Sequence, residues 1–221
     1  MEEYKYVDDL VKKAVDRYLR VRNLAVDDLA QQTYDSLQDK IMNWNGKRTK
    51  SQLGFYLDYL LGPHMDAIAD SGMAVVAVNP EEFIRTMQKR VVVDKVASLL
   101  ELRQKGCTLH EIREVGLVDY VLNRCSYERG RPQQYIHRFL STLFMDKMTT
   151  IASQGQLLET AKLLGKKTEG VSFESIQFQI RLSVDQALER LEIDQSHWTS
   201  FMKATIAFHI IPAEQESVGK S

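Results

Sequence analysis

The chain has 221 residues, a formal net charge of −1, 44% hydrophobic residues and 27% charged ones. That length holds one or two domains with a proper core, and the balance is that of an ordinary globular chain rather than a disordered or fibrous one. No apolar run approaches the roughly 18 residues of a membrane span, and no global basic excess announces nucleic acid. Two cysteines, Cys107 and Cys125, stand apart with no CxxC pair, which reads as free thiols in a cytoplasmic protein.

Charge is placed unevenly. Residues 1–83 carry 10 Lys/Arg against 14 Asp/Glu, residues 84–147 carry 12 against 7, and residues 148–221 carry 7 against 9. A basic middle in a neutral chain is a mild pointer to a polyanion. The N-terminal residues, acidic and amphipathic, read as the start of a helix rather than a signal peptide. Residues 5–22 place Val7, Leu10, Val11, Ala14, Tyr18 and Val21 on one helical face. Asp27 and Asp28 can cap a second helix carrying Leu29, Leu37, Ile41 and Trp44, which Asn45-Gly46 ends. Lys47, Arg48 and Lys50 read as a solvated basic turn. A third helix holds Leu53, Leu57, Leu60 and Leu61 and breaks at Gly62-Pro63, and a short helix follows to Gly72. Met73–Val78 is a buried strand or an extended segment through the core.

Asn79-Pro80-Glu81-Glu82 is a strong helix start, with a cap, a proline at the first position and acids in the first turn. The helix it opens is expected to reach Lys105, with Phe83, Met87, Val91, Leu99 and Leu102 facing inward. Thr108-Leu-His-Glu111 matches a capping box and opens a short helix that Gly116 ends. The next helix carries Val118 and Val121. This pair reads as an αα-corner, or as a helix-turn-helix one residue short. Arg129-Gly130-Arg131-Pro132 resembles the core of an AT-hook, whose arginines lie in a narrow minor groove. The competing reading is a loop whose Pro132 starts the next helix, running to about Ser153 with Ile136, Phe139, Leu140, Leu143 and Phe144 inward. Leu157, Leu158, Ala161 and Leu164 form one more helix. Gly165-Lys-Lys-Thr-Glu-Gly170 is the best linker in the chain, and residues 212–221 are expected to be disordered.

Residues 175–211 change period twice. Ile176, Phe178, Ile180 and Leu182 alternate with Gln177, Gln179, Arg181 and Ser183, as in a half-buried strand. Ala187, Leu188 and Leu191, then Trp198, Phe201, Met202, Thr205, Ile206 and His209, follow at helical spacing. One strand followed by two helices, with Gln-x-Gln-x-Arg on the strand, resembles the ribbon-helix-helix DNA-binding family. That resemblance covers about a sixth of the chain, and its inter-helix turn lacks the family's usual glycine. It implies two protomers pairing their strands into a ribbon that lies in the major groove. Gln177, Gln179 and Arg181 would then read base edges, since Gln matches adenine and Arg matches guanine. Ser196, as an N-cap, would anchor phosphate, with Lys166, Lys167, Arg129 and Arg131 as further phosphate contacts. The same stretch supports a second reading. Ile176, Ile180, Val184, Leu188 and Leu191 are spaced four, four, four and three apart, which is one face of a long helix.

Motifs for chemistry are missing. The five histidines are scattered, His110 and Glu114 form only a surface pair, and there is no GxSxG, P-loop or dinucleotide fingerprint. The sequence therefore predicts a mainly α chain that is not an enzyme and has no cofactor, metal or catalytic residue. Residues 1–165 form a helical domain, 166–171 a linker, 172–212 the strand-helix-helix module and 213–221 a tail. The expected function is that of a sequence-specific DNA-binding regulator of bacterial, phage or plasmid type. Its partners would be double-stranded DNA, a second copy and another regulatory protein, with no membrane. The alternative is an all-helical interaction or scaffold protein without nucleic-acid binding.

Overall fold

The computed structural model describes residues 2–48, 85–125 and 132–218. Among these residues every regular element is a helix, and there is no strand. The helices are α1 (Glu2–Val21), α2 (Leu24–Met42), α3 (Arg90–Lys105), α4 (Leu109–Glu114), α5 (Leu117–Leu122), α6 (Pro132–Leu143), α7 (Gln154–Leu163), α8 (Phe173–Arg190), α9 (Ser200–Ile206) and, after a 3₁₀ turn, α10 (Ile210–Val218). None is long and apolar enough to cross a membrane.

Helix α8 occupies the place where the sequence allowed a strand. Ser172 caps it, its Oγ accepting the Ser175 N–H at 3.3 Å. No Gly or Pro interrupts residues 173–190. Ile176, Ile180, Val184, Ala187 and Leu188 form its apolar stripe and are buried. The alternating pattern shares Ile176 and Ile180 with that stripe. Only Phe178 and Leu182 tell the two patterns apart, and they turn to the outer side, Leu182 being exposed. The ribbon-helix-helix resemblance is therefore overturned: α8 is one continuous core helix, packed against α1, α4, α7 and α9. An intertwined ribbon dimer loses its reason, because the apolar row is buried within the same chain.

The buried face of α8 also carries polar side chains. Gln177 is fully buried and Arg181 is 6% exposed. Both serve the connection from α6 to α7, in which Phe144, Met145 and residues 148–152 are buried although the backbone is not helical. Gln177 Oε1 accepts the Thr149 N–H (2.9 Å) and the Thr149 hydroxyl (2.6 Å), while Nε2 donates to the Ile151 carbonyl (2.6 Å) and to Ser141 Oγ (3.4 Å). Arg181 Nη1 donates to the Met145 and Met148 carbonyls at 2.8 and 3.3 Å, and Nε to the Asp185 carboxylate. The Thr150 N–H reaches the Ala204 carbonyl of α9 at 3.1 Å. A buried loop must settle its backbone groups somewhere, and here two side chains of a neighbouring helix take four of them.

The other end of the molecule is tied by α1. Its Val7, Leu10, Val11, Ala14 and Tyr18 are buried as their spacing predicts. Arg17 Nε binds Glu216 of α10 at 2.8 Å, and Arg20 joins the same carboxylate at 2.5 Å. Tyr18 donates to Asp27 Oδ2 at 2.5 Å across the turn into α2. Asn23, rather than Asp27 or Asp28, caps α2. Residues 213–218, expected as a disordered tail, are thus helical within α10, and Pro212 sits in its first turn, where proline is tolerated.

Two further boundaries differ from expectation. Residues 85–87 are helical, but extended Lys89 (φ −66°, ψ 142°) restarts the helix at Arg90. That break resets the phase, so Val91 is exposed while Val92 and Val93 are buried. Helix α6 stops at Leu143, ten residues before Ser153, because the segment beyond it enters the core as the clamped loop. Gly155 lies inside α7. Thr108 forms the predicted capping box with Glu111. Gly116 adopts φ 62° between α4 and α5, a conformation that favours glycine at this corner. The Asn79-Pro80 helix start, the Leu53–Leu61 helix and the 73–78 run lie outside the described residues.

Replacing Gln177 by Ala leaves the Thr149 N–H and Ile151 carbonyl buried without their partner. The expected loss of stability is about 2–4 kcal/mol, read as a lower urea midpoint. Substitution of half-exposed Gln179 is expected to stay within about 0.5 kcal/mol. Equal effects at the two positions would argue against the clamp.

Candidate functional site

The predicted DNA contacts do not come together. Gln177 and Arg181 point inward, and half-buried Gln179 lies on another side of α8. Lys166 is half-buried and Lys167 exposed in the connection between α7 and α8, helices that pack on each other. Ser196 is exposed in a turn where its N–H donates to Asp194 Oδ1 at 2.9 Å. It caps no helix, since Thr199 caps α9 and accepts the Met202 N–H. Arg129 and Arg131 lie outside the described residues. Basic residue types were legible in the sequence, but their common face depended on a strand that is not formed.

Two other features stand out. The first is a cavity of about 360 Å³ between α5, α6, α7 and the start of α8. Val118, Leu122, Leu157, Leu158, Val171 and Ile176 give it apolar walls, and His137, Glu174, Gln133, Gln154, Ser172 and Asp119 add polar groups. Gly170, at φ 68°, lets the connecting chain turn along its edge into α8. His137 is 2% exposed and stacks on Phe173, with ring centroids 3.5 Å apart and planes 9° from parallel. Its Nδ1 donates to the Ala152 carbonyl at 3.3 Å. Burial lowers its pKa to about 3, against the small opposing effect of that bond. The ring is therefore neutral, with the proton on Nδ1 and a lone pair on Nε2. Glu174 is 6% exposed, and burial pushes its carboxyl above the usual range, although its own N–H and the Ser172 hydroxyl favour the charge. No lysine or arginine is among the described residues that line the cavity.

These residues escaped the sequence reading for a physical reason. His137 sits beside Ile136 on the buried side of an amphipathic helix, where the expected role is core packing. Glu174 sits in a first helical turn, where the helix dipole alone accounts for an acid.

The second feature is the corner where α1 meets α2. Leu19, Val21, Leu24 and Leu29 are 42–59% exposed there, in a stretch of only eleven residues. Val21 had been expected on the inner face of the first helix. The α4–α5 corner has a mixed surface instead. Exposed Arg113 and Arg124 are set against exposed Glu111, Glu114 and Asp119. The His110–Glu114 pair, 3.1 Å apart and largely exposed, is the surface pair the spacing suggested.

No family model, curated protein or solved structure matches this chain. What it does must be argued from its own residues.

Titration offers a check on the buried histidines. His209 is held neutral like His137, its pKa lowered to about 4 by burial and then by Arg17, whose Nη1 donates to Nδ1 at 2.6 Å. Both folded values lie below the ordinary histidine value. Their contribution is therefore intact above about pH 6.5 and is lost as pH falls toward 4, because the unfolded chain takes up protons that the folded one refuses. Buried Glu174 and Asp27, both raised, work in the opposite sense. The informative quantity is thus the difference between wild type and His209→Gln. Between pH 6 and 4.5 the variant is expected to lose stability more slowly, by up to about 1.4 kcal/mol per pH unit. Parallel profiles would show that His209 takes up its proton in the fold as readily as in the unfolded chain.

Proposed function

We propose that this chain is a non-catalytic, all-helical interaction protein whose α1–α2 corner docks an apolar segment of a partner protein. The observation that carries this reading is the group of four large aliphatic side chains left in water at one helix corner. Single exposed apolar residues are ordinary, but a local group of them marks a contact surface. Completing the burial of each is worth about 1 kcal/mol. That suits a modest, reversible contact of the kind an amphipathic helix makes in a groove.

Support for the alternative, DNA binding, is weak. Gln177 and Arg181 spend their hydrogen bonds on the α6–α7 connection, and the mixed charge of the α4–α5 corner provides little field for phosphate.

The test places a photo-crosslinking amino acid at position 24 or, as a control, at exposed Lys12, in the full chain in its own cells. A discrete adduct is expected from position 24 alone, and it should vanish when Leu29→Glu is added. Leu29→Glu itself should change folding stability by no more than about 0.5 kcal/mol. Indistinguishable adducts from both positions would sink the reading. So would recovery of a defined duplex sequence from a random DNA pool by the purified chain.

A further inference from the structure

We propose that the cavity between α5, α6, α7 and α8 is a binding site for a small primary amine, held as the ammonium ion between the Glu174 carboxylate and the Nε2 lone pair of His137. The proposal concerns a different part of the molecule from the docking corner and does not depend on it.

Three observations meet in this site. The first is size and character. About 360 Å³ with mixed apolar and polar walls falls within the range of small-molecule pockets. The second is the unpartnered nitrogen. His137 is almost wholly buried, and its one hydrogen bond uses Nδ1. Nε2 makes no hydrogen bond among the described residues, which leaves it as an acceptor for a ligand in the cavity that His137 lines. The third is charge. Glu174 and Asp119 both line the cavity, and no lysine or arginine is among its described lining residues, Arg113 acting on Glu174 from outside it.

A ligand that completes the site must donate at least one hydrogen bond to Nε2 and supply positive charge to the carboxylate. It must also present hydrocarbon to Leu122, Leu157 and Ile176. A primary ammonium on a short apolar body meets all three demands, because its three N–H donors diverge from one cationic atom. A quaternary ammonium has the charge but no donor, and an alcohol has the donor but no charge. An anion is disfavoured by both carboxylates.

The N-terminal end of α8 opposes a cation through its dipole. Its first-turn donors are already engaged, however: Ser172 Oγ takes the Ser175 N–H, and the Glu174 carboxylate takes its own. The Gln133 and Gln154 side chains are hydrogen-bonded to each other across the wall. They leave His137 and Glu174 as the groups that select the ligand.

The experiment titrates the full-length protein with n-butylamine, n-hexylamine and 2-phenylethylamine at neutral pH, using calorimetry together with nitrogen NMR of the histidine rings. At least one amine is expected to bind saturably below about 10 mM. The isosteric 2-phenylethanol and N,N,N-trimethyl-2-phenylethylammonium should each bind at least about tenfold more weakly than 2-phenylethylamine, since each lacks one half of the charge-assisted bond. Glu174→Gln should remove the preference for the amine over the alcohol. Binding of the amine to wild type should shift the unprotonated Nε2 resonance of His137, a readout that a purely structural histidine would not give and that does not require the variant to fold. Failure of all three amines to bind saturably would overturn the proposal. Equal affinity for amine and alcohol, or an unmoved Nε2 resonance at saturation, would overturn it as well.

Discussion

The hydrogen bonds from Gln177 and Arg181 to the α6–α7 connection are the constraint on which the rest of the structure depends. Residues 144–152 pass through the core with few helical bonds of their own, so their backbone groups must find partners or carry a desolvation cost of several kcal/mol in all. A glutamine amide can satisfy an N–H and a carbonyl together. A guanidinium can serve two carbonyls while still pairing with Asp185. These two residues lie one turn apart on α8 and so face the same way. With them in place, Met145 packs with Ala30, Tyr34, Phe201 and Ala204 in a small separate cluster. Met148 and Ile151 join the main core. The loop thereby couples α2 and α9 to the centre of the fold.

The N-terminal helix closes the molecule by different means. Its apolar stripe packs on α8 and α10, and its polar edge carries the chain Asp27–Tyr18 and the cluster Arg17, His209 and Glu216. Tyr18 and His209 also meet ring to ring, with centroids 5.4 Å apart. Neutral His209 accepts from Arg17 while Glu216 balances the guanidinium, so the cluster holds together without an unpaired buried charge. The site in the α5–α8 cavity is built on the opposite principle. There a neutral imidazole and a raised carboxyl stand with no lysine or arginine among the described lining residues. One polar cluster is complete in itself, and the other is open to a ligand.

Alternation and four-residue spacing gave the same apolar residues, Ile176 and Ile180, to two incompatible elements. Local pattern had no means of choosing between them. The decision came from Gln177 and Arg181, polar residues that read as solvent-facing in a strand but find buried partners some thirty residues earlier in the chain. The break at Lys89 was invisible for a related reason. Val91, Val92 and Val93 are equivalent in composition, and only the packing phase separates the exposed one from the buried pair. The cavity was hidden because His137 and Glu174 each had a sufficient local explanation.

The sequence by itself determined the mainly helical character, the inner face of α1, the capping box at Thr108 and the glycine corner at Gly116. Each rests on interactions within a few residues: periodic burial, a reciprocal side-chain cap, or a backbone angle that glycine tolerates. Tertiary structure alone decided that residues 173–190 form a helix and that 144–152 run through the core. It also decided that residues 210–218 close against α1 and that His137 shares a cavity with Glu174. These outcomes depend on partners far away in the chain, and a hydrogen bond to such a partner leaves no periodic trace in the residues that make it.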